Sequence, residues 1–138
     1  MLFVSRLFAG LVALGSAACD PPTAPPFEAS IAAAPLNGPA PEPVVTRLAD
    51  TVRVSWWIGT NEPCYEFGAA AEASQDTLVV TVVASRLDGF CIQVLAAFAY
   101  TVTVTGVGPT LNALRLIYDR HGPPTFVETV LEAALRQQ

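Results

Sequence analysis

This sequence predicts an all-β fold, a sandwich or a barrel, and three observations lead there. Apolar and polar residues alternate with period two in several separate runs, the pattern of strands with one buried face. Turn signals separate those runs at short, even intervals, at residues 59–63, 73–76, 87–89, 106–110 and 121–124. No alternation of strand and helix patterns accompanies them, so a βαβ architecture is not indicated.

The N-terminus comes first and is not part of that fold. Residues 1–18 divide into a short n-region with Arg6, an apolar stretch over Leu7 to Leu14, and the small residues Ser16, Ala17 and Ala18 before Cys19. The apolar part is shorter than the roughly 20 residues a bilayer-spanning helix needs. The arrangement resembles the signal peptide and lipobox of a bacterial lipoprotein. That resemblance implies cleavage after Ala18, acylation of Cys19, and an extracytoplasmic chain held to a membrane by its lipid. It departs from the usual pattern in placing Ser16 where leucine is common. A general signal peptidase also accepts Ser16 and Ala18, so a secreted or periplasmic soluble protein is the alternative.

Three cysteines leave one over after any intramolecular pairing. Acylation of Cys19 removes it from the count, and Cys64 and Cys91 remain as a disulfide in an oxidising compartment. Such a bridge closes a loop of about 28 residues, for which chain entropy gives about 3.5 kcal/mol. The alternative is a pair of buried free thiols. Two cysteines and the single His121 at wide spacing do not make a zinc pattern.

Residues 20–43 follow as DPPTAPPFEASIAAAPLNGPAPEP, in which eight of 24 residues are proline. Missing backbone donors and restricted neighbours disfavour regular structure. Residues 19–43 are thus expected to be a lipidated, disordered tether, reaching on the order of 70 Å if extended.

The folded domain is expected over 44–138, a size suited to one small domain. Strands are expected near 44–49, 51–58, 64–71, 77–85, 91–97, 99–106, 112–119 and 126–135. Val52, Val54, Trp56 and Ile58 share one face, and Tyr100, Val102 and Val104 repeat the pattern. Thr77 to Ser85 is β-branched and apolar on most of both faces, as a central strand is. The segment 126–135 fits a helical spacing as well as an alternation. The strand reading pairs it with 112–119 through the Gly-Pro-Pro loop.

From about 44 to 136 the chain resembles small bacterial secreted or lipoprotein domains with an immunoglobulin-like β-sandwich. The features that carry this are Cys64 and Cys91 each opening a strand, the valine-rich run from Leu78 to Val83, and the run from Tyr100 to Thr105 before a Gly/Pro turn and a final hairpin. The resemblance implies an immunoglobulin-like antiparallel sandwich. Both tryptophans precede Cys64, unlike the antibody arrangement. Such a fold carries no function with it.

Formal net charge is −5, and every basic residue is arginine. An acidic chain without a basic cluster argues against nucleic-acid binding and against electrostatic docking on anionic lipid. Motifs for catalysis are lacking: no nucleophile elbow, no phosphate loop, and cysteines expected to be oxidised. His121 reads as a turn residue. Glu62, Glu66, Glu72 and Asp76 read as solvated loop charges, and Glu128 and Glu132 as the wet face of the last strand. Trp57 shares its face with Arg53 and Ser55, which makes it the candidate interface residue unless a neighbouring segment covers it.

The expected function is a non-enzymatic, membrane-tethered binding or envelope-structural module, needing neither metal nor cofactor, whose partner is a protein or a cell-wall polymer. The alternative is a small β-sandwich protease inhibitor acting through loops such as 59–63 and 106–110.

Overall fold

The computed structural model of the chain describes residues 26–122 and 125–137. The expected signal peptide, Cys19 and the first tether residues lie outside the described residues, as do Pro123 and Pro124. Eight strands follow in order: β1 Glu28–Pro35, β2 Val44–Leu48, β3 Thr51–Thr60, β4 Tyr65–Ser74, β5 Thr77–Arg86, β6 Ala96–Thr105, β7 Ala113–His121 and β8 Phe126–Ala134. They form two four-stranded sheets packed as a sandwich, one ordered β1-β6-β3-β2 and the other β4-β5-β7-β8.

The alternating runs build the core between the sheets. Val52 and Val54 of β3 and Tyr100, Val102 and Val104 of β6 meet Leu78, Val80 and Val82 of β5 and Leu114 and Leu116 of β7. Register aligns them, with Val54 opposite Val102 in one sheet and Val80 beside Leu116 in the other. Each such buried Val or Leu contributes about 1.5–3 kcal/mol by leaving water. Trp56 packs against this core from a half-buried position.

Two tight hairpins fix the register. Leu48 pairs with Thr51 around Ala49, and Ser74 pairs with Thr77 around Gln75. Both central residues have positive φ, 51° and 56°, a conformation that strains a residue with a Cβ. The last hairpin pairs β7 with β8, with a bulge between Leu116 and Ile117, so 126–135 is a strand.

Four expectations need correction. First, β1 lies inside the segment expected to be a disordered tether. It pairs with β6 from Glu28 opposite Thr105 to Pro35 opposite Phe98. Residues 27–34 contain no proline, so each can donate to a ladder, and Phe27, Ala29 and Ile31 pack against the core. The flanking prolines hid this octet. Second, 91–97 and 99–106 are not two strands. A single strand starts at Ala96, and 91–95 is irregular. Third, the pairing is not wholly antiparallel, since β5 and β7 run parallel. The chain leaves one sheet after β5, runs back as β6 in the other, and returns as β7, so β5 and β7 lie side by side in the same direction. Fourth, Glu62 is 2% exposed rather than solvated.

The strand directions define two ends. The end where β1 begins carries the hairpins at Ala49 and Gln75 and the 106–112 loop. Gly106 has φ 83°, and a Cβ there would lie 2.8 Å from the Pro26 carbonyl, so glycine lets the chain entering β1 pass close. Arg47, 3% exposed, pins the same loop by donating to the carbonyls of Leu111 and, at 2.8 Å, Gly108. The opposite end carries the loop between β5 and β6.

Candidate functional site

The loop from Leu87 to Leu95 stands out because its apolar side chains face the wrong way for a core. Phe90 is 95% exposed and Leu95 87%, and Leu87, Ile92 and Val94 are exposed as well. Apolar side chains grouped and exposed in this way are the kind of surface that contacts with other molecules use.

The protein holds this loop firmly from behind. Cys91 is buried and bridged to Cys64, with 6.1 Å between their Cα atoms. The Leu87 amide donates to the Cys64 carbonyl at 3.0 Å. Gln93 donates its side-chain amide to Glu62 Oε2 at 2.6 Å, and Arg86 Nε donates to Glu62 Oε1. Arg86 also reaches the carbonyls of Leu87 and Gly89 at 3.3 and 3.5 Å. The hydrogen bond that Arg86 donates to Glu62, aided by the carboxylate charge, raises the pKa of Arg86 above the ordinary guanidinium value. The Glu62 backbone is itself fixed, because Thr60 Oγ1 donates to its carbonyl at 2.6 Å. Gly89 turns the chain with φ 107°, and Val94 N–H donates to the Ile92 carbonyl at 3.1 Å, a one-residue kink at Gln93.

The result is alternation without a sheet. Cys91 is buried at the bridge and Gln93, though exposed, reaches back to Glu62, while Phe90, Ile92 and Val94 stand outward. That local pattern is what the sequence displays as a strand over 91–97. Among the described residues 91–95 has no ladder partner, so its backbone is irregular.

Trp57 lies at the same end, half-buried. With Trp56, Tyr118, Phe126 and Glu128 it lines a shallow groove of about 250 Å³ between β3 and β8. The groove exists because β2 pairs with β3 only as far as Val44 opposite Ser55. Beyond that point β3 has no strand neighbour on one side among the described residues, and Tyr118 OH donates to the Trp57 carbonyl there. Tyr100 and Tyr118 share a hydroxyl hydrogen bond of 2.8 Å. Burial raises the pKa of both phenols, that of Tyr118 to about 12.

Other candidate residues are dispersed. His121 is exposed at the end of β7, its Nε2 3.0 Å from Asp119 Oδ1. Glu66, Glu72 and Asp76 are exposed, and Glu132 on the outer face of β8 accepts from Arg115 at 3.0 Å. Among the described residues no three His, Cys, Asp or Glu side chains gather as metal ligands would. Arg120 is buried between the rings of Tyr65 and Phe126, 5.3 and 5.5 Å from their centres, and donates to Tyr65 OH and Asn61. The loops 59–63 and 106–110 turn key side chains inward: Thr60 and Glu62 in one, Val107 in the other. The sequence signal for 87–95 was available as five large apolar residues around a cysteine, but a strand absorbed it.

No family matches the chain, nor does any curated protein or solved structure.

Proposed function

We propose that this chain is an extracytoplasmic lipoprotein, tethered through Cys19, whose sandwich is a non-enzymatic binding module of immunoglobulin-like type. The leader pattern of residues 1–18 supports export, and the Cys64–Cys91 bridge is in keeping with an oxidising compartment. The observation that carries the binding role is the clamped loop with five exposed apolar side chains, Leu87, Phe90, Ile92, Val94 and Leu95. Rigid presentation lowers the entropy lost on docking, so a braced loop binds more tightly than a slack one with the same residues. Trp57 is a secondary contact at the same end.

The tether is tested by Cys19→Ser. The wild-type protein should partition with membranes and the variant with the soluble extracytoplasmic fraction; equal partitioning counts against acylation. A second reading, a protease inhibitor, is favoured by one feature: a convex loop fastened by a disulfide at its middle resists separation of its halves even if cut. It predicts stoichiometric inhibition of an added endopeptidase with an apolar specificity pocket. Rapid cleavage without inhibition would rule it out.

A further inference from the structure

The direction in which the loop points bears on what it meets. Phe27 lies beside Gly106, at the end of β6, whereas Leu95 immediately precedes Ala96, at its start. The two are separated by the length of β6, ten residues or about 33 Å. The strand formed by 28–35 shortens the leash. Only seven residues lie between Cys19 and Phe27, eight Cα–Cα steps that reach about 28 Å at full extension.

We infer that the loop 87–95 docks into an apolar cleft of another protein on the side of the domain away from the anchoring membrane. This rests on the tethered reading above. With Cys19 at a bilayer surface, a leash shorter than the domain cannot let an inverted, upright domain bury Phe90 in that bilayer. Laying the domain over brings exposed Asp88 and Glu66 toward the headgroups, and no lysine offsets them. Arg86, the nearest cation, is already engaged by Glu62. Lipid insertion usually draws on basic residues beside the apolar ones. A head-to-head pair of upright copies anchored in one membrane fails too, because both loops then point the same way, away from that membrane. A protein partner carrying its own apolar cleft meets neither obstacle.

The test places a photo-crosslinking residue at position 90 in the full chain in cells, with Asn112 at the opposite end as control. The expected result is an adduct with one protein from position 90 only. That protein, identified and purified, should bind the soluble Cys19→Ser form. Leu95→Ser should weaken binding by at least about tenfold, while Leu48→Ser, exposed in the hairpin at the opposite end, leaves it unchanged. Both variants should melt as the parent does. Adducts with lipid, with a second copy, from both positions alike, or none at all would overturn the inference, as would binding indifferent to Leu95→Ser. Fractionation of wild type against Cys19→Ser reads the anchor separately. A wild-type protein found soluble removes the tethered reading and the membrane-distal orientation, while the binding arm still decides whether the loop docks into protein.

Discussion

Reducing the Cys64–Cys91 bridge should destabilise the whole domain and not merely loosen its loop. The two cysteines are 27 positions apart, and closing a loop of that size removes about 3.5 kcal/mol of conformational entropy from the unfolded chain. Unfolding a domain of about 110 residues carries an entropy near 0.23 kcal/mol per kelvin, so the melting temperature should fall by about 15 °C. The Glu62 network works in parallel. Gln93 and Arg86 still hold the loop after reduction, which keeps the native state ordered and leaves the loss in the unfolded ensemble. The assay is differential scanning calorimetry of the soluble domain with and without reductant, repeated with Cys64→Ala/Cys91→Ala. A shift below about 3 °C in both would refute the reasoning, because it would mean that the bridge constrains only a segment that opens independently of the core. Hydrogen exchange restricted to 87–95 on reduction would identify that outcome.

Further outcomes follow from the packing. Tyr100 and Tyr118 have folded pKa values raised above the ordinary phenol value near 10, to about 12 for Tyr118. A raised folded pKa gives stability that is fully present below pH 10 and lost as pH climbs from there toward the folded value. Urea melts should therefore show stability falling by up to about 1.4 kcal/mol per pH unit for each tyrosine above pH 10, and Tyr118→Phe should flatten that slope. Ala49→Gly should stabilise by about 0.5–1 kcal/mol, since glycine takes the φ of 51° without steric cost; a denaturant midpoint that falls instead would contradict the strain. A chain starting at Val44 should lose about 2–3 kcal/mol through exposure of the surface that Phe27 and Ile31 cover, measured by the same melts. Unchanged stability would return residues 26–43 to the role of a mere tether.

The difference between what could and could not be read from the chain has a physical origin. Period-two alternation is a property of one segment, so Val52 and Val54, Val102 and Val104, and Leu114 and Leu116 announced their buried faces without reference to any partner. Cysteine counting required only a number. Glu62 was different. Its surroundings are supplied by Arg86 and Gln93, more than twenty residues away, and a carboxylate in a loop looks solvated until those partners arrive. The run 91–95 alternates as a strand does, yet whether alternation becomes a strand depends on a ladder partner that the fold does not provide. Residues 28–34 have weak alternation and proline neighbours, yet they became a strand because the edge of β6 was free to receive them. By itself, then, the sequence determined the strands of the core, the bridge and the class of fold. Only the tertiary structure decided which edge is capped by β1, that β5 lies parallel to β7, and that the apolar loop faces outward, because each depends on long-range pairing that no local pattern encodes.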